Sequence, residues 1–387
     1  MVCVGCPESR IDTARVRNFL KENGWSITNE LKNADLILFR TCGLTERTAG
    51  DSLQIIRKIR AEKRPDAKFI VWGCLPKIDP QALRAEYEGV TFGEREVTIL
   101  NKILEAKKPI EEITANYEKP VLHFGRSGFL NCIGRILESA EKRFDIGRNS
   151  SVFLIKVSTG CLGNCSFCAV RISRGLICSK SIDSILSEFR KGLKMGFQRF
   201  GLLGTDLGYY GMDLGQNLVD LLREMMREKG NYKIGLRNVN PYCLNEMFDS
   251  LEPIFSSGKI WFLSTAVESG SDRILKLMRR KYTSQDFKKC IKILNERYPN
   301  IFLRTQIMVG FPTETEEDFQ TSLHFLDKLK FDWVEVYKFS PRIGTDAFKM
   351  DGQVPEEIKE ARFRQLSLKA LMQHPYYKVK NLIESFS

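Results

Sequence analysis

Three cysteines on one short stretch carry the strongest chemical signal in this 387-residue chain: Cys161-Leu-Gly-Asn-Cys165-Ser-Phe-Cys168. Thiolates at Cys-x-x-x-Cys-x-x-Cys spacing can take three corners of a cubane 4Fe–4S cluster. The fourth iron is then left without a protein ligand and stays open to a chelating group. Gly160 and Gly163 let such a loop wrap closely around a cluster. The competing reading is a zinc loop, which needs a fourth ligand, and Cys178 is the candidate for it. A second set is dispersed: Cys6 in VGCPESRID, Cys42 in RTCGLTE and Cys74 in WGCLPK. Cysteines that follow successive strands of an open α/β sheet face one crevice despite their distance in sequence. The competing reading is three buried small apolar side chains. Cys3 forms a Cys-x-x-Cys pair with Cys6 and is a substitute candidate.

Two series of elements must position these groups. In residues 1–105, 10–23 reads as a helix with Ile11, Val16, Phe19 and Leu20 on one side, and Asn23-Gly24 ends it. Residues 34–39 (ADLILF) and 68–72 (KFIVW) read as buried strands, with a helix over 45–63 between them. This rhythm predicts a small, doubly wound α/β domain. Residues 106–150, broken by Pro109 and Pro120, read as a connecting region with one helix near 132–144. Strand-like runs then recur at 152–157, 199–204, 232–238, 259–264, 302–310 and 333–339. Helical stretches separate them at 182–195, 215–228, 243–255, 272–278, 284–296 and 316–329. Six strand–helix units in series predict a partial (β/α)6 barrel over 151–350, followed by a helical extension over 351–387.

Composition narrows the chemistry further. Eleven cysteines, an odd number, argue against a disulfide framework. In a reducing compartment, clustered cysteines more often bind metal or do redox chemistry. His123, His324 and His374 are too scattered for a histidine-rich zinc site. The net charge of +12 fits an anionic partner such as nucleic acid as well as it fits simple solubility. No run of apolar residues reaches a membrane span, and MVCVGCPESR does not read as a secretory signal. The expectation is a cytoplasmic protein with no membrane partner.

The Cys161–Cys168 stretch, with Phe167 before its last cysteine, resembles the radical S-adenosylmethionine (SAM) superfamily signature. Other stretches resemble one branch, the methylthiotransferases: LLGTDLGYYGMD (202–213), VESGSDRILKLMRRKYT (267–283), IMVGFPTETEEDF (307–319), FSPRIGTDAFKM (339–350) and QVPEEIKEARFRQL (353–366). They span most of 150–370 in the family's order. The resemblance implies that Cys161, Cys165 and Cys168 hold a 4Fe–4S cluster whose open iron binds SAM. It implies that Cys6, Cys42 and Cys74 hold a second 4Fe–4S cluster connected with sulfur donation. One SAM would methylate a sulfur on that second cluster, and reductive cleavage of another would open a substrate C–H bond. Around SAM, the expected contacts are Phe167 near cluster and adenine, Gly204 and Thr205 at the ammonium, and Glu268 at ribose or methionine. Arg237 would meet a carboxylate, and Gly310 would admit adenine close to the backbone. Arg174-Gly175 resembles the family's arginine–glycine pair after the cluster loop. An external electron donor, such as flavodoxin or ferredoxin, is implied as well.

Three departures bear on the substrate. Ser9 replaces a frequent asparagine, and Cys178 a frequent arginine. The stretch LMQHPYYKVKNLIESFS is too short and too helical for TRAM, the small β-barrel that usually follows in this family. A peptide or protein, a tRNA or a small molecule therefore all stay open as substrates. Two rivals also stand: a radical SAM enzyme whose second cluster relays electrons or anchors substrate, and a noncatalytic, zinc-stapled RNA-binding protein.

Overall fold

The structure, a computed structural model, describes residues 1–3, 6–113 and 152–373. The helix expected near 132–144 lies outside the described residues, as do His123, His374 and most of the connecting region. Contacts divide the chain into two units. The first is Met1–Lys156 with Ala169–Leu176 and Pro341–Gly344; the second is Val157–Cys168 with Ile177–Ser340 and Thr345–Ser387.

The first unit runs β1 (Val2–Cys3), α1 (Pro7–Glu22), β2 (Leu36–Thr41), α2 (Glu46–Glu62), β3 (Lys68–Gly73), α3 (Leu75–Ile78), α4 (Pro80–Glu86), β4 (Val90–Gly93), α5 (Ile99–Ile103) and β5 (Val152–Lys156), with α6 (Val170–Arg174) added from further along. Strands β1 to β4 form a parallel sheet in that order. Alternate side chains of β2 and β3 enter different cores. Ile37, Phe39, Phe69 and Val71 pack with Ala49, Ile56 and Ile59 of α2. Leu38, Ile70 and Trp72 pack with Val16, Phe19 and Leu20 of α1. A sheet covered on both faces needs unbroken apolar strands, which explains why LILF and FIVW show no polar alternation. Thr45 and Thr48 close a capping box at the start of α2.

The second unit contains β6 (Ser158–Thr159), β7 (Cys178–Ser179), α7 (Ile182–Lys194), β8 (Arg199–Leu203), α8 (Leu218–Arg227), β9 (Lys233–Leu236), α9 (Pro241–Glu246), α10 (Phe248–Ser256), β10 (Ile260–Ser264), α11 (Asp272–Leu277), α12 (Ser284–Arg297), β11 (Phe302–Val309), α13 (Glu316–Asp327), β12 (Trp333–Lys338) and α14 (Glu356–Gln373). Strands β8 to β12 of this unit pair in parallel in the order β12-β11-β10-β9-β8. This is the α/β architecture and the partial-barrel series expected from the sequence. One expected helix differs. The stretch 243–255 is two helices, α9 and α10, because Met247 between them leaves the helical basin at φ −98°, ψ 2°. Helix starts are strongly specified, with capping boxes at Asn217, Thr283 and Thr315.

Candidate active site

In the second unit, Cys161, Cys165 and Cys168 lie on the loop after β6. Gly160, at φ +83°, turns the chain into that loop, and its N–H donates to Thr205 Oγ1 at 3.2 Å. Ser166 pins the middle. Its hydroxyl donates to the Leu277 carbonyl at 2.8 Å and its N–H to the Met278 carbonyl at 3.2 Å, while its own carbonyl accepts from Ala347 at 2.8 Å. The Gly163 N–H donates to Cys161 Sγ at 3.1 Å. A Cβ at Gly163 would stand 3.1 Å from that sulfur and 3.8 Å from Cys165 Sγ, so the loop closes on its own thiols. Burial pushes the Cys161 thiol up to about 12, and the Asp206 carboxylate and the neighbouring cysteines add to the effect.

Arg280 faces this loop. It donates to Cys165 Sγ at 3.5 Å and to Glu268 Oε1 at 2.5 Å. Its guanidinium lies 5.8 Å from the centre of the Phe167 ring, and its Nε is buried without a hydrogen-bond partner. Glu268 has a left-handed backbone, φ +65°, fixed by bonds from its N–H to Gln306 and from Met308 to its carbonyl. Burial raises the Glu268 carboxyl, against the pull of Arg280. Phe167 meets Phe311 edge to face at 6.4 Å. Gly204 follows β8, and a Cβ there would fall 2.7 Å from Ser158 Oγ. Asp206, two residues on, is buried and accepts from Gly208 at 2.9 Å and from Asn240 Nδ2 at 2.8 Å.

Arg237 and Gly310 sit elsewhere on the same sheet. Arg237 is buried just after β9. Burial acts to raise the Glu335 carboxyl, but Arg304, Tyr337 and Arg237 outweigh it and hold Glu335 low. Gly310, at φ +75°, follows β11, and a Cβ there would collide with Lys359 Cγ at 2.3 Å. The close approach at Gly310 in this structure is thus to the stem of Lys359 on α14.

In the first unit, Cys6 caps α1, Cys42 follows β2, and Cys74 follows β3. Parallel strands bring these C-terminal ends to one edge of the sheet, and the Cys42 and Cys74 thiols sense each other, as do Cys6 and Cys42. Each has a different neighbour. Cys6 Sγ accepts from Arg174 Nη2 at 3.3 Å and from Ser9 Oγ at 3.4 Å. Cys42 is held by its backbone: its N–H donates to Ser52 Oγ at 3.1 Å, and its carbonyl accepts from that hydroxyl at 2.9 Å. Cys74 Sγ lies 3.4 Å from Glu94 Oε1. Burial acts to raise the Cys6 thiol, yet Arg174, Arg40 and the Ser9 hydrogen bond together outweigh it and the net shift is downward. Burial and Glu94 push Cys74 up to about 12. Arg40 is fully buried, 2.5 Å from Glu94 and 5.2 Å from the Trp72 ring centre. Gly73 reaches φ +114°, where a Cβ would meet the Thr41 carbonyl at 2.5 Å, so only glycine fits before Cys74. Cys3 is buried at the end of β1, and its sulfur accepts from Thr13 Oγ1 at 3.3 Å.

Residues 155–326 match the Radical SAM superfamily model, and residues 1–93 match the model described as Uncharacterized protein family UPF0004. The chain is 30% identical to the probable threonylcarbamoyladenosine tRNA methylthiotransferase of Archaeoglobus fulgidus, over 94% of this chain and 81% of that one. The chain belongs to the radical SAM methylthiotransferase family. Ribosomal protein uS12 methylthiotransferase RimO of Thermodesulfovibrio yellowstonii is also 30% identical, over 95% of this methylthiotransferase and 80% of that protein. A solved structure of the radical SAM methyltransferase TsrM from Kitasatospora setae, with cobalamin and a 4Fe–4S cluster, is similar in fold. Its TM-score is 0.58 at 14% identity, covering 87% of this chain and 73% of that one.

Family membership implies SAM and a 4Fe–4S cluster for this methylthiotransferase. The Cys161–Cys168 loop fits such a cluster. Cys165 and Cys168 both act on the Cys161 thiol, and Gly163 leaves room beside the Cys161 and Cys165 sulfurs. Among the described residues, no three His, Cys, Asp or Glu side chains are arranged to hold a single metal ion. Cys178, the fourth ligand of the zinc alternative, is exposed on β7. Sequence reasoning gave no role to Arg280, Asp206, Arg40 or Glu94. Arg280 lies inside the quoted MRRKYT stretch and Asp206 directly follows Thr205, so those two were within reach of the motifs.

Proposed function

We propose that this enzyme inserts a methylthio group into an unactivated C–H bond of a tRNA nucleoside, using two 4Fe–4S clusters. Cys161, Cys165 and Cys168 hold the cluster that binds SAM, and Cys6, Cys42 and Cys74 hold the second. The observation that carries the sulfur-transfer reading is the gathering of Cys6, Cys42 and Cys74 at adjacent strand ends in the first unit. When bound, the clusters and SAM supply a one-electron reduction, hydrogen abstraction and sulfur.

The chain's own residues bind and orient. Ser166 and Gly160 fix the cysteine loop to α11 and to the end of β8. Glu268 offers carboxylate oxygens to the SAM hydroxyls, and Arg280 holds that carboxylate in place while facing Cys165. Phe167 packs beside the cluster and adenine. Gly204 and Thr205 present backbone to the SAM ammonium. Arg237 meets a carboxylate of SAM or substrate. An external donor such as flavodoxin or ferredoxin supplies electrons, and the enzyme works in the cytoplasm. No described helix is long and apolar enough to cross a membrane.

The charge of +12 and the relative named for tRNA support the tRNA reading. A ribosomal protein is the second reading, supported by the equal identity to the uS12 enzyme. The test is anaerobic incubation of the reconstituted full chain with SAM, reductant and either unmodified tRNA or ribosomal protein. Mass spectrometry of digested nucleosides or peptides then locates any methylthio gain. A methylthio nucleoside supports the tRNA reading, and a modified peptide transfers the assignment to protein. SAM cleavage with no sulfur gained on either would overturn methylthio insertion into these substrates.

A further inference from the structure

We propose that Arg174 is a positioning residue for the thiol set of the first unit, fixing Cys6 and setting the electron affinity of the cluster held there. The inference rests on the reading that Cys6, Cys42 and Cys74 bind a 4Fe–4S cluster. Arg174 is the last residue of α6, and only 3% of it is exposed. One guanidinium nitrogen, Nη2, donates to Cys6 Sγ at 3.3 Å; the other, Nη1, donates to Glu8 Oε2 at 2.5 Å. Both side chains of that pair are 4% exposed. The guanidinium therefore cannot swing into water, and its orientation toward the sulfur is set by Glu8.

A buried ion pair is weak evidence for stability, because desolvation offsets most of its attraction. The sulfur contact gives this pair a role besides stability. The other two thiols meet different groups: the Cys42 sulfur has the Leu44 N–H and the Thr48 hydroxyl as its hydrogen-bond partners. Cys42 is held through its main chain by Ser52, and Cys74 faces the Glu94 carboxylate at 3.4 Å. Hydrogen bonds to cluster sulfurs and nearby positive charge stabilise the reduced state and raise the potential of an iron–sulfur cluster. Arg174 brings both to the Cys6 corner. Glu8, by compensating the charge, moderates the effect.

The test uses the full chain carrying Cys161→Ala, Cys165→Ala and Cys168→Ala, so that only the first unit's cluster remains. The protein is reconstituted anaerobically with iron and sulfide. Its one-electron midpoint potential is then followed by electron paramagnetic resonance during reductive titration. Arg174→Met should move the potential to more negative values at unchanged iron content, and Arg174→Lys should recover part of the shift. Glu8→Gln should move it the opposite way. A potential unchanged in both Arg174→Met and Glu8→Gln at full iron content overturns the inference. If Arg174→Met does not fold, Glu8→Gln decides by the same criterion. A parent that binds no iron overturns instead the cluster reading on which the inference rests.

Discussion

Arg280 joins Cys165 to Glu268: one guanidinium nitrogen is 3.5 Å from the sulfur and the other is 2.5 Å from the carboxylate. On the proposed assignment, a cation between a thiol of the cluster loop and the carboxylate proposed for SAM would couple the two binding functions. Replacing Arg280 by Met leaves Glu268 buried without its counterion and removes the charge beside Cys165. Formation of 5′-deoxyadenosine should fall by about 100-fold, the scale of losing one preorganised charge at a reacting centre. Iron content should stay near that of the wild type, since no thiol is removed. Chromatography of the SAM products, with iron assayed on the same samples, checks both statements. Unchanged cleavage would show that Arg280 has no part in SAM use.

Iron counting separates the two thiol sets. The reconstituted wild type should carry about eight irons per chain, and alanine at Cys161, Cys165 and Cys168 should leave about four. Alanine at Cys6, Cys42 and Cys74 should also leave about four. Cys3→Ala should change neither count, because its sulfur is engaged by Thr13. Loss of iron in that single variant would make Cys3 a ligand in place of Cys6.

Gly310→Ala tests backbone and packing together. The residue sits at φ +75°, and the new Cβ would meet Lys359 Cγ at 2.3 Å. The substitution should lower stability by about 2–4 kcal/mol, read from denaturant unfolding of the apo protein. Lys359→Ala in the same chain removes the colliding atoms but leaves the strained φ. The pair should therefore regain part of the loss, and full recovery would mean that strain contributes nothing.

Asp318 gives the second unit an acid-sensitive joint. Burial acts to raise its carboxyl, but Arg273, Ser271 and Thr315 outweigh this and hold it well below the usual range. A carboxyl lowered by folding stabilises above its unfolded pKa of about 4 and loses that contribution as pH falls through the folded value. Asp318→Asn should thus cost about 2 kcal/mol near pH 7 and progressively less below about pH 4. Melting temperatures of both proteins across this range read the difference. A gap of the same size at all pH values would contradict the ionic origin.

Much of this architecture was legible because apolar runs such as LILF and FIVW are buried on both sheet faces and leave an unbroken signal. β4 was not, because it has four residues and Val90 at its start is 40% exposed. The cysteine sets were legible from spacing and from their places after strands. Their partners were not, because tertiary folding alone joins Arg280 to Cys165 across 115 positions and Arg174 to Cys6 across 168. Nothing local marks an arginine as a sulfur donor rather than a solvated surface charge. Glu268 was legible from its motif, but its place four residues beyond β10 and its left-handed φ were not, since the bonds to Gln306 and Met308 impose them.

The first unit draws α6 and the stretch Pro341–Gly344 from late in the chain, and this has a consequence during synthesis. Glu8 leaves the ribosome long before its partner Arg174, and Asp79 long before Arg342. At ~5–20 residues per second, the first delay alone is on the order of ten seconds. Through that interval the nascent sheet carries a buried-site carboxylate without its cation and a Cys6 without its arginine. The amino-terminal unit, although first to emerge, cannot finish folding first. On the proposed assignment, metal loading of its thiols is therefore expected only once α6 and Pro341–Gly344 have been added to the chain.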